Sequence, residues 1–113
     1  MAEREYYIYI TTNYSKTVFY TGRTNNLSQR ITEHWLKRGT SDSFAGKNYC
    51  FYLLFFEQTR YVLNAIAREK EIKGWLRVKK EALIKDFNPE LKFLNSEIME
   101  WPPKDPFHRE DFN

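Results

Sequence analysis

Two short aromatic runs joined by polar residues constrain the fold most. Residues 6–11 and 18–21 alternate in the two-residue period of a β-strand. Residues 13–16 between them suit a turn, because Asn and Ser side chains bond to the backbone there. A four-residue turn places Tyr9 opposite Tyr20, and cross-strand partners share a face. We therefore predict a β-hairpin with two adjacent phenols, although tyrosines at strand positions also serve as ordinary packing residues.

A helix is predicted directly after the hairpin. Gly22 ends the second predicted strand, where the backbone needs a positive φ or a close approach. Asn26 is the expected N-cap, with Gln29 three residues later in a capping-box pattern. Arg30 and His34 are four residues apart and lie as neighbours along the helix edge. The predicted buried stripe consists of Leu27, Ile31 and Trp35.

The middle of the chain predicts a loop followed by a buried strand. Residues 39–48 are rich in Gly, Ser and Asn, which favours a loop with Lys47 as its only cation. This loop is either a mobile, substrate-contacting segment or an ordinary connector. Residues 49–57 are continuously apolar, as in a central strand covered on both faces. Cys50 lies in this run and, as the only cysteine, is predicted to be a small buried strand residue.

Residues 61–76 predict a second helix with a carboxylate on its apolar face. Glu69 falls within that stripe, whereas Glu71 is turned toward water. A carboxylate on an apolar face is costly unless it is paired or binds a cation. The residues leave two interpretations open, an ion pair with an arginine such as Arg30 and a metal site. The stripe itself is predicted from Val62, Ala65, Ile66, Ile72 and Leu76.

The charge distribution favours a polyanion as the partner. Residues 1–88 carry 15 Lys and Arg against 9 Asp and Glu, and residues 89–113 carry 3 against 6. A third helix over residues 78–85 should follow a boundary at Gly74. Arg77, Lys79 and Lys80 form the densest cationic cluster, which we expect to contact phosphates without reading bases.

The tyrosine motifs together resemble the GIY-YIG nuclease domain. The similarity is to its small stand-alone bacterial branch, related to the N-terminal domain of the nucleotide-excision-repair incision subunit. Tyr7 replaces the first motif's Gly and Thr21 the second motif's Ile, at backbone or packing positions, while both motif tyrosines are kept. The resemblance covers residues 5 to about 90, and it is carried by Tyr7-Ile8-Tyr9, Tyr20-Thr21-Gly22, Arg30 and His34.

The resemblance implies a metal-dependent endonuclease acting on duplex or branched DNA, in repair or recombination. Glu69 would bind a single Mg²⁺ or Mn²⁺ ion. One protein carboxylate is enough for Mg²⁺, because this ion keeps most of its bound waters. Arg30, with Arg23, would clamp phosphate oxygens. Tyr9 would act as general base or orient the water, with Tyr20 positioning this network. His34 remains an alternative base, because a phenol with a pKa of about 10 needs nearby cations or the metal to lower it.

The overall prediction is an α+β domain over residues 1–90, with a partly packed tail over 91–113. Its sheet has three mainly antiparallel strands, the hairpin and the central strand, flanked by about three helices. The resemblance also implies a structural asparagine near the domain end, for which Asn88 is the candidate and Asn95 the alternative. We expect no ligand role for His108 in the tail.

Composition sets the expected location and the rival functions. A lone cysteine and the lack of a leader or membrane-spanning run predict a cytoplasmic protein. We expect either low intrinsic specificity or a partner protein that supplies it. The first alternative is a non-catalytic nucleic-acid-binding module with the same fold, and the second is a protein-interaction domain. DNA binding that weakens steeply with salt would separate the second alternative from the other two functions.

Overall fold

A three-stranded antiparallel sheet forms the centre of the protein. The computed structural model describes residues 5–104. The strands are β1 (Tyr6–Thr12), β2 (Phe19–Thr24) and β3 (Tyr52–Thr59), and the helices are α1 (Leu27–Leu36), α2 (Phe44–Lys47), α3 (Val62–Lys73), α4 (Arg77–Phe87) and α5 (Asn95–Ile98). The predicted α+β class is confirmed. Five helices are present in this range instead of about three, because two four-residue helices, α2 and α5, lie in segments predicted as loop and tail.

The central strand is β1, so the prediction that the 49–57 run forms the central strand is wrong. Within residues 5–104, β3 pairs with β1 alone and lies at an edge of the sheet. Its side chains are nevertheless buried on both faces, since Leu53 packs in one core and Leu54 in the other. Continuous apolar sequence therefore indicated coverage of both faces and not the strand's place in the sheet. Cys50 is buried as predicted, but it precedes the strand.

The hairpin register differs from the prediction by two residues. Tyr9 lies opposite Gly22, and Tyr20 lies opposite Thr11. The connecting loop spans residues 13–18 because the Asn13 Oδ1 atom accepts hydrogen bonds from the backbone of Thr17 at 2.9 Å and of Val18 at 3.1 Å. A shift of two keeps every side chain on its face, whereas a shift of one would reverse it. The two tyrosines therefore still share a face.

Each face of the sheet has its own core. Ile8 and Ile10 of β1 pack with residues of α3 and α4, including Ala65, Ile72 and Ile84. Tyr9, which points the opposite way, packs with Leu27 and Ile31 of α1 and with Leu53 and Leu94. The sheet thus separates an α1 face from an α3 face, and this division decides which functional residues can meet.

The apolar stripe predicted for α3 is largely wrong. Ala65 and Ile72 are buried, but Val62 and Ile66 are exposed. The helix ends at Lys73, so Leu76 lies beyond it and is also exposed. Two small contact points on the sheet are enough to seat this helix, and the remaining apolar positions face solvent. Among the described residues, no helix is both long and apolar enough to cross a membrane.

Two buried asparagines attach the C-terminal segment to β3. Asn88 Nδ2 donates to the carbonyls of Leu54 at 3.1 Å and Lys92 at 2.8 Å. Asn95 Nδ2 donates to Phe51 O, and its Oδ1 accepts from Leu53 N, both at 2.8 Å. Both residues that the sequence offered as alternatives therefore bind the same strand. Leu94, Ile98, Met99 and Trp101 pack on the α1-face core, while the boundary at residue 90 stays a prediction and His108 lies outside the described residues.

Candidate active site

The hairpin and α1 bring four of the predicted catalytic side chains together on the α1 face. Tyr9 Oη and His34 Nε2 are 2.8 Å apart in a buried hydrogen bond. The ring of Tyr20 lies 6.2 Å from that of Tyr9 and 5.2 Å from that of His34, between centroids. The Arg30 guanidinium interacts with both phenols. His34 is buried.

The start of α1 fixes these side chains in place. Asn26 caps the helix through its Oδ1 atom, which accepts from Gln29 N at 3.1 Å. This confirms the predicted N-cap and sets the rotation at which Arg30 and His34, one turn apart, face the strands. Leu27 and Ile31 are buried as predicted, whereas Trp35 is only partly buried.

Gly22 lies within β2 and does not end the strand as predicted. Its backbone is not in the positive-φ region, so close approach is what requires glycine here. A Cβ atom at this position would lie 2.5 Å from Tyr9 Oη and 2.9 Å from Tyr20 Cε2. The end of the Tyr9 ring therefore occupies the space that a side chain at position 22 would fill.

Gly22→Ala is expected to strain the site, because the added methyl group would overlap both tyrosine rings and the buried Tyr9 ring has no free space to move into. We expect a loss of about 1–3 kcal/mol in the free energy of unfolding, measured by urea denaturation. Gly74→Ala is the control, since its Cβ would come no closer than 3.5 Å to a neighbouring atom. Equal stability of the two variants would contradict the packing described here.

The electrostatics of the buried pair keep both groups neutral. Burial raises the pKa of Tyr9 above its usual value, the neighbouring Tyr20 adds to this, and Arg30 only partly opposes it. Burial, followed by the charge of Arg30, lowers the pKa of His34 from 6.5 to about 4. A role of Tyr9 as general base would need its pKa to be lowered, as the sequence analysis states, but in the structure this pKa is raised. The Tyr9 hydroxyl can therefore donate to an unprotonated imidazole nitrogen.

Glu33 is a site residue that the sequence analysis missed. Its Oε2 accepts from Arg30 Nη1 at 2.8 Å, one helical turn away. The spacing of three residues between an arginine and a glutamate on one helix was the available signal. This ion pair with Glu33 engages one edge of the Arg30 guanidinium and holds the group beside the two phenols.

Glu69 forms a second cluster with two cations. Its Oε1 is 3.1 Å from Arg23 Nε, and its Oε2 is 3.2 Å from Lys73 Nζ. Only 16% of the Glu69 side chain is exposed, against 54% for Glu71, which pairs with Arg68. The orientation of Glu71 toward water is confirmed. The ion-pair partner of Glu69 is Arg23 and not Arg30.

The two clusters lie on opposite faces of the β1–β2 ladder. Arg23 is the cross-strand partner of Ile8, so its side chain leaves the edge strand β2 toward α3 and Glu69. Tyr9 and Tyr20 leave the same ladder toward α1. The structure therefore groups Arg23 with Glu69, and it groups the phenols with Arg30 and His34.

The residues near the site offer a divalent ion one shielded carboxylate, that of Glu69. Among residues 5–104, no group of three or more His, Cys, Asp or Glu side chains is arranged to hold a metal. Mg²⁺ commonly binds through one or two carboxylates, substrate phosphates and waters. Glu69 is sufficiently shielded to serve as that single carboxylate, and the ion would replace its contacts with Arg23 and Lys73.

The other predicted phosphate contacts are scattered. Lys47 is exposed on α2, and Lys79 is exposed with its Nζ 4.4 Å from the centroid of the Trp75 ring. Lys80 is partly buried. Arg77 instead donates to the carbonyls of Thr17 at 2.9 Å and Lys16 at 2.6 Å, so its guanidinium ties α4 to the hairpin loop. The geometry gives Arg77 a structural role, and phosphate binding by the three lysines stays a prediction.

Comparison with known proteins agrees with this arrangement. The family model described as the GIY-YIG catalytic domain matches residues 5–82. The chain belongs to the GIY-YIG family. A structure of similar fold is that of the UPF0213 protein BH0048 from Bacillus halodurans, determined by solution NMR, with a TM-score of 0.51 and 24% sequence identity.

The alignment with that neighbour covers 85% of this chain and 97% of the other, so nearly the whole fold is shared. No curated protein matches this chain. GIY-YIG domains are generally nucleases that act on DNA and use divalent metal ions. Family membership thus supports a nuclease-like function for this GIY-YIG domain, and the assignment of individual residues rests on the geometry described above.

Proposed function

We propose that this GIY-YIG domain is a divalent-metal-dependent endonuclease that hydrolyses phosphodiester bonds in DNA. The observation that carries the proposal is the buried 2.8 Å contact between Tyr9 Oη and His34 Nε2, with the Arg30 guanidinium beside it. A fold needs neither a buried imidazole nor a cation beside one buried phenol, Tyr9, and one partly buried phenol, Tyr20. Phosphodiester hydrolysis needs a proton acceptor and a cation at the phosphoryl oxygens.

The direction of the pKa shifts favours a two-step proton path. The raised pKa of Tyr9 keeps its hydroxyl protonated at rest. The attacking water would give its proton to the Tyr9 oxygen as the Tyr9 proton passes to His34 Nε2. His34 is then the final acceptor and Tyr9 orients and relays.

Phosphate binding would make His34 a better acceptor. The positive charge of Arg30 is one cause of the low pKa of His34. A phosphate bound to Arg30 neutralises that charge, which raises the His34 pKa toward its ordinary value. The planar donor fork of Arg30 suits a phosphate, and its pair with Glu33 would open as the phosphate binds.

Glu69 would hold the single divalent ion, Mg²⁺ or Mn²⁺, with water and phosphate oxygens as its other ligands. β2 is an edge strand, so a phosphate lying across that edge would reach this ion as well as Arg30. The ion would then neutralise the charge that develops on the phosphate and the leaving oxygen. Arg23, the Glu69 partner, would be released from that pair to contact the DNA backbone. The expected substrate is duplex or branched DNA in repair or recombination, within the cytoplasm.

Glu69→Gln is expected to slow nicking of supercoiled plasmid in Mg²⁺ by about 100-fold, because loss of ion binding removes several kcal/mol of stabilisation. Glu71→Gln on the same helix is the matched control, since Glu71 faces solvent, and it should nick at the wild-type rate. A chelator should abolish nicking by both the wild type and the control variant. Tight DNA binding without any nicking would favour the non-catalytic alternative and overturn the proposal.

A further inference from the structure

Phe44 is an exposed aromatic residue that lies against the predicted active site. It opens α2, and its ring lies nearly parallel to that of Tyr20, at an angle of 24° and 6.3 Å between centroids. Tyr20 in turn contacts His34 edge-on. Although it lies beside this cluster, Phe44 is 54% exposed. Phe44 therefore presents free ring surface directly beside this cluster.

The helix that carries Phe44 is firmly anchored. Ser43 Oγ accepts from Gly46 N at 3.0 Å, and Ala45, whose carbonyl accepts from Cys50 N at 2.9 Å, is buried. A Cβ atom on Gly46 would lie 2.6 Å from the carbonyl oxygen of Lys37, so α2 is in close contact with the end of α1. The segment predicted as a mobile loop thus contains a fixed support, and Phe44 is held in position without needing its own burial.

Two lysines lie on or next to α2, the helix that carries this aromatic residue. Lys47 is exposed one helical turn after Phe44. The positive charge of Lys37 contributes to the low pKa of His34, which puts that ammonium group within electrostatic range of the site. Aromatic side chains combined with cations form the platforms on which proteins bind single-stranded nucleic acid.

We propose that Phe44 stacks on an unpaired nucleobase next to the phosphate held by Arg30. The inference rests on the proposed function and narrows its substrate class to DNA with an unstacked base at the cleavage position. A base inside a regular duplex has both faces covered by its neighbours, whereas a base at a flap, gap or branch offers a free face. Phe44 is thus a specificity-determining residue, and stacking on the base is its contribution.

The test separates base stacking from charge attraction. Two labelled single strands of about 12 nucleotides carry the same phosphates, but one has all its bases and the other is abasic throughout. Fluorescence anisotropy measures binding of each strand in a chelator, so that cleavage cannot occur. We expect wild type to prefer the base-bearing strand by about fivefold or more, since stacking contributes about 1–3 kcal/mol per base.

Phe44→Leu keeps the apolar bulk beside Tyr20 and should lose that preference, while Phe44→Trp should keep it. Tyr61→Leu removes another exposed aromatic residue, directly before α3, and should behave as wild type. The proposal is overturned if wild type binds both strands equally, if it binds neither at low salt, or if Phe44→Leu retains the preference. Plasmid nicking by the same preparations reports on the nuclease proposal separately, so a failure of stacking leaves that result readable.

Discussion

Tyr9→Phe is expected to lower the rate of Mg²⁺-dependent plasmid nicking by about 10²- to 10⁴-fold, the range that a positioned proton-transfer group contributes. The substitution removes the hydroxyl that orients water and passes a proton to His34, and the ring still fills the buried space beside Gly22. The fold should change little. Loss of one buried hydrogen bond costs about 1 kcal/mol in the free energy of unfolding.

Tyr7→Phe is the matched control for this prediction. Tyr7 lies two residues earlier on the same strand and face, and its hydroxyl donates to Glu5 at 3.1 Å. We expect this variant to nick at the wild-type rate. A Tyr9→Phe protein as active as the Tyr7→Phe control would remove the phenol from the mechanism and leave His34 to act on the water directly.

The second large effect is a pH dependence of stability that originates at His34. Its pKa falls from 6.5 to about 4 on folding, so the unfolded chain binds a proton that the folded protein excludes. The stability that comes from keeping His34 neutral is fully present above pH 6.5. It is lost as the pH falls from 6.5 to about 4, the pKa of His34 in the folded protein. The full change amounts to about 3 kcal/mol, measured by urea denaturation at a series of pH values.

His34→Gln should remove this slope, because glutamine can still accept the Tyr9 hydrogen bond but does not titrate. His108→Gln removes the chain's other histidine and should keep the wild-type slope. Carboxylates contribute their own pH dependence at the acid end, and the difference between the two variants isolates the contribution of His34. A slope that persists unchanged in His34→Gln would mean that this imidazole is not held neutral by the fold.

Local rules in the sequence predicted the elements of the fold well. Alternation gave the two strands, and Asn26 gave the start of α1. The predicted register was wrong by two residues because the loop is longer than expected. The Asn13 side chain holds this loop through hydrogen bonds to the backbone, and the alternation of apolar and polar residues carries no information about such bonds. The order of the strands was also missed, since an apolar run reports burial and carries no information about neighbours.

The sequence indicated which residues belong to the candidate site better than it indicated their pKa shifts and ion pairs. Tyr9, Tyr20 and Arg30 were found from motif and spacing, but the burial that lowers the pKa of His34 arises from packing of two faces. Glu69 was noticed on a stripe that is itself mostly exposed. Its pairing with Arg23 follows from the face to which that residue points, and this face is known only once the register is known.

The attachment of the C-terminal segment to β3 sets the minimum length of chain that can stay soluble on expression. The match to the catalytic domain ends at residue 82, but the bonds that close the outer side of β3 come from Asn88, Leu94 and Asn95. A fragment trimmed to the family boundary would leave backbone groups of that strand without partners and ready to pair with another molecule. Recombinant versions should therefore extend past Asn95, and versions that end at residue 82 should precipitate as intermolecular β-structure.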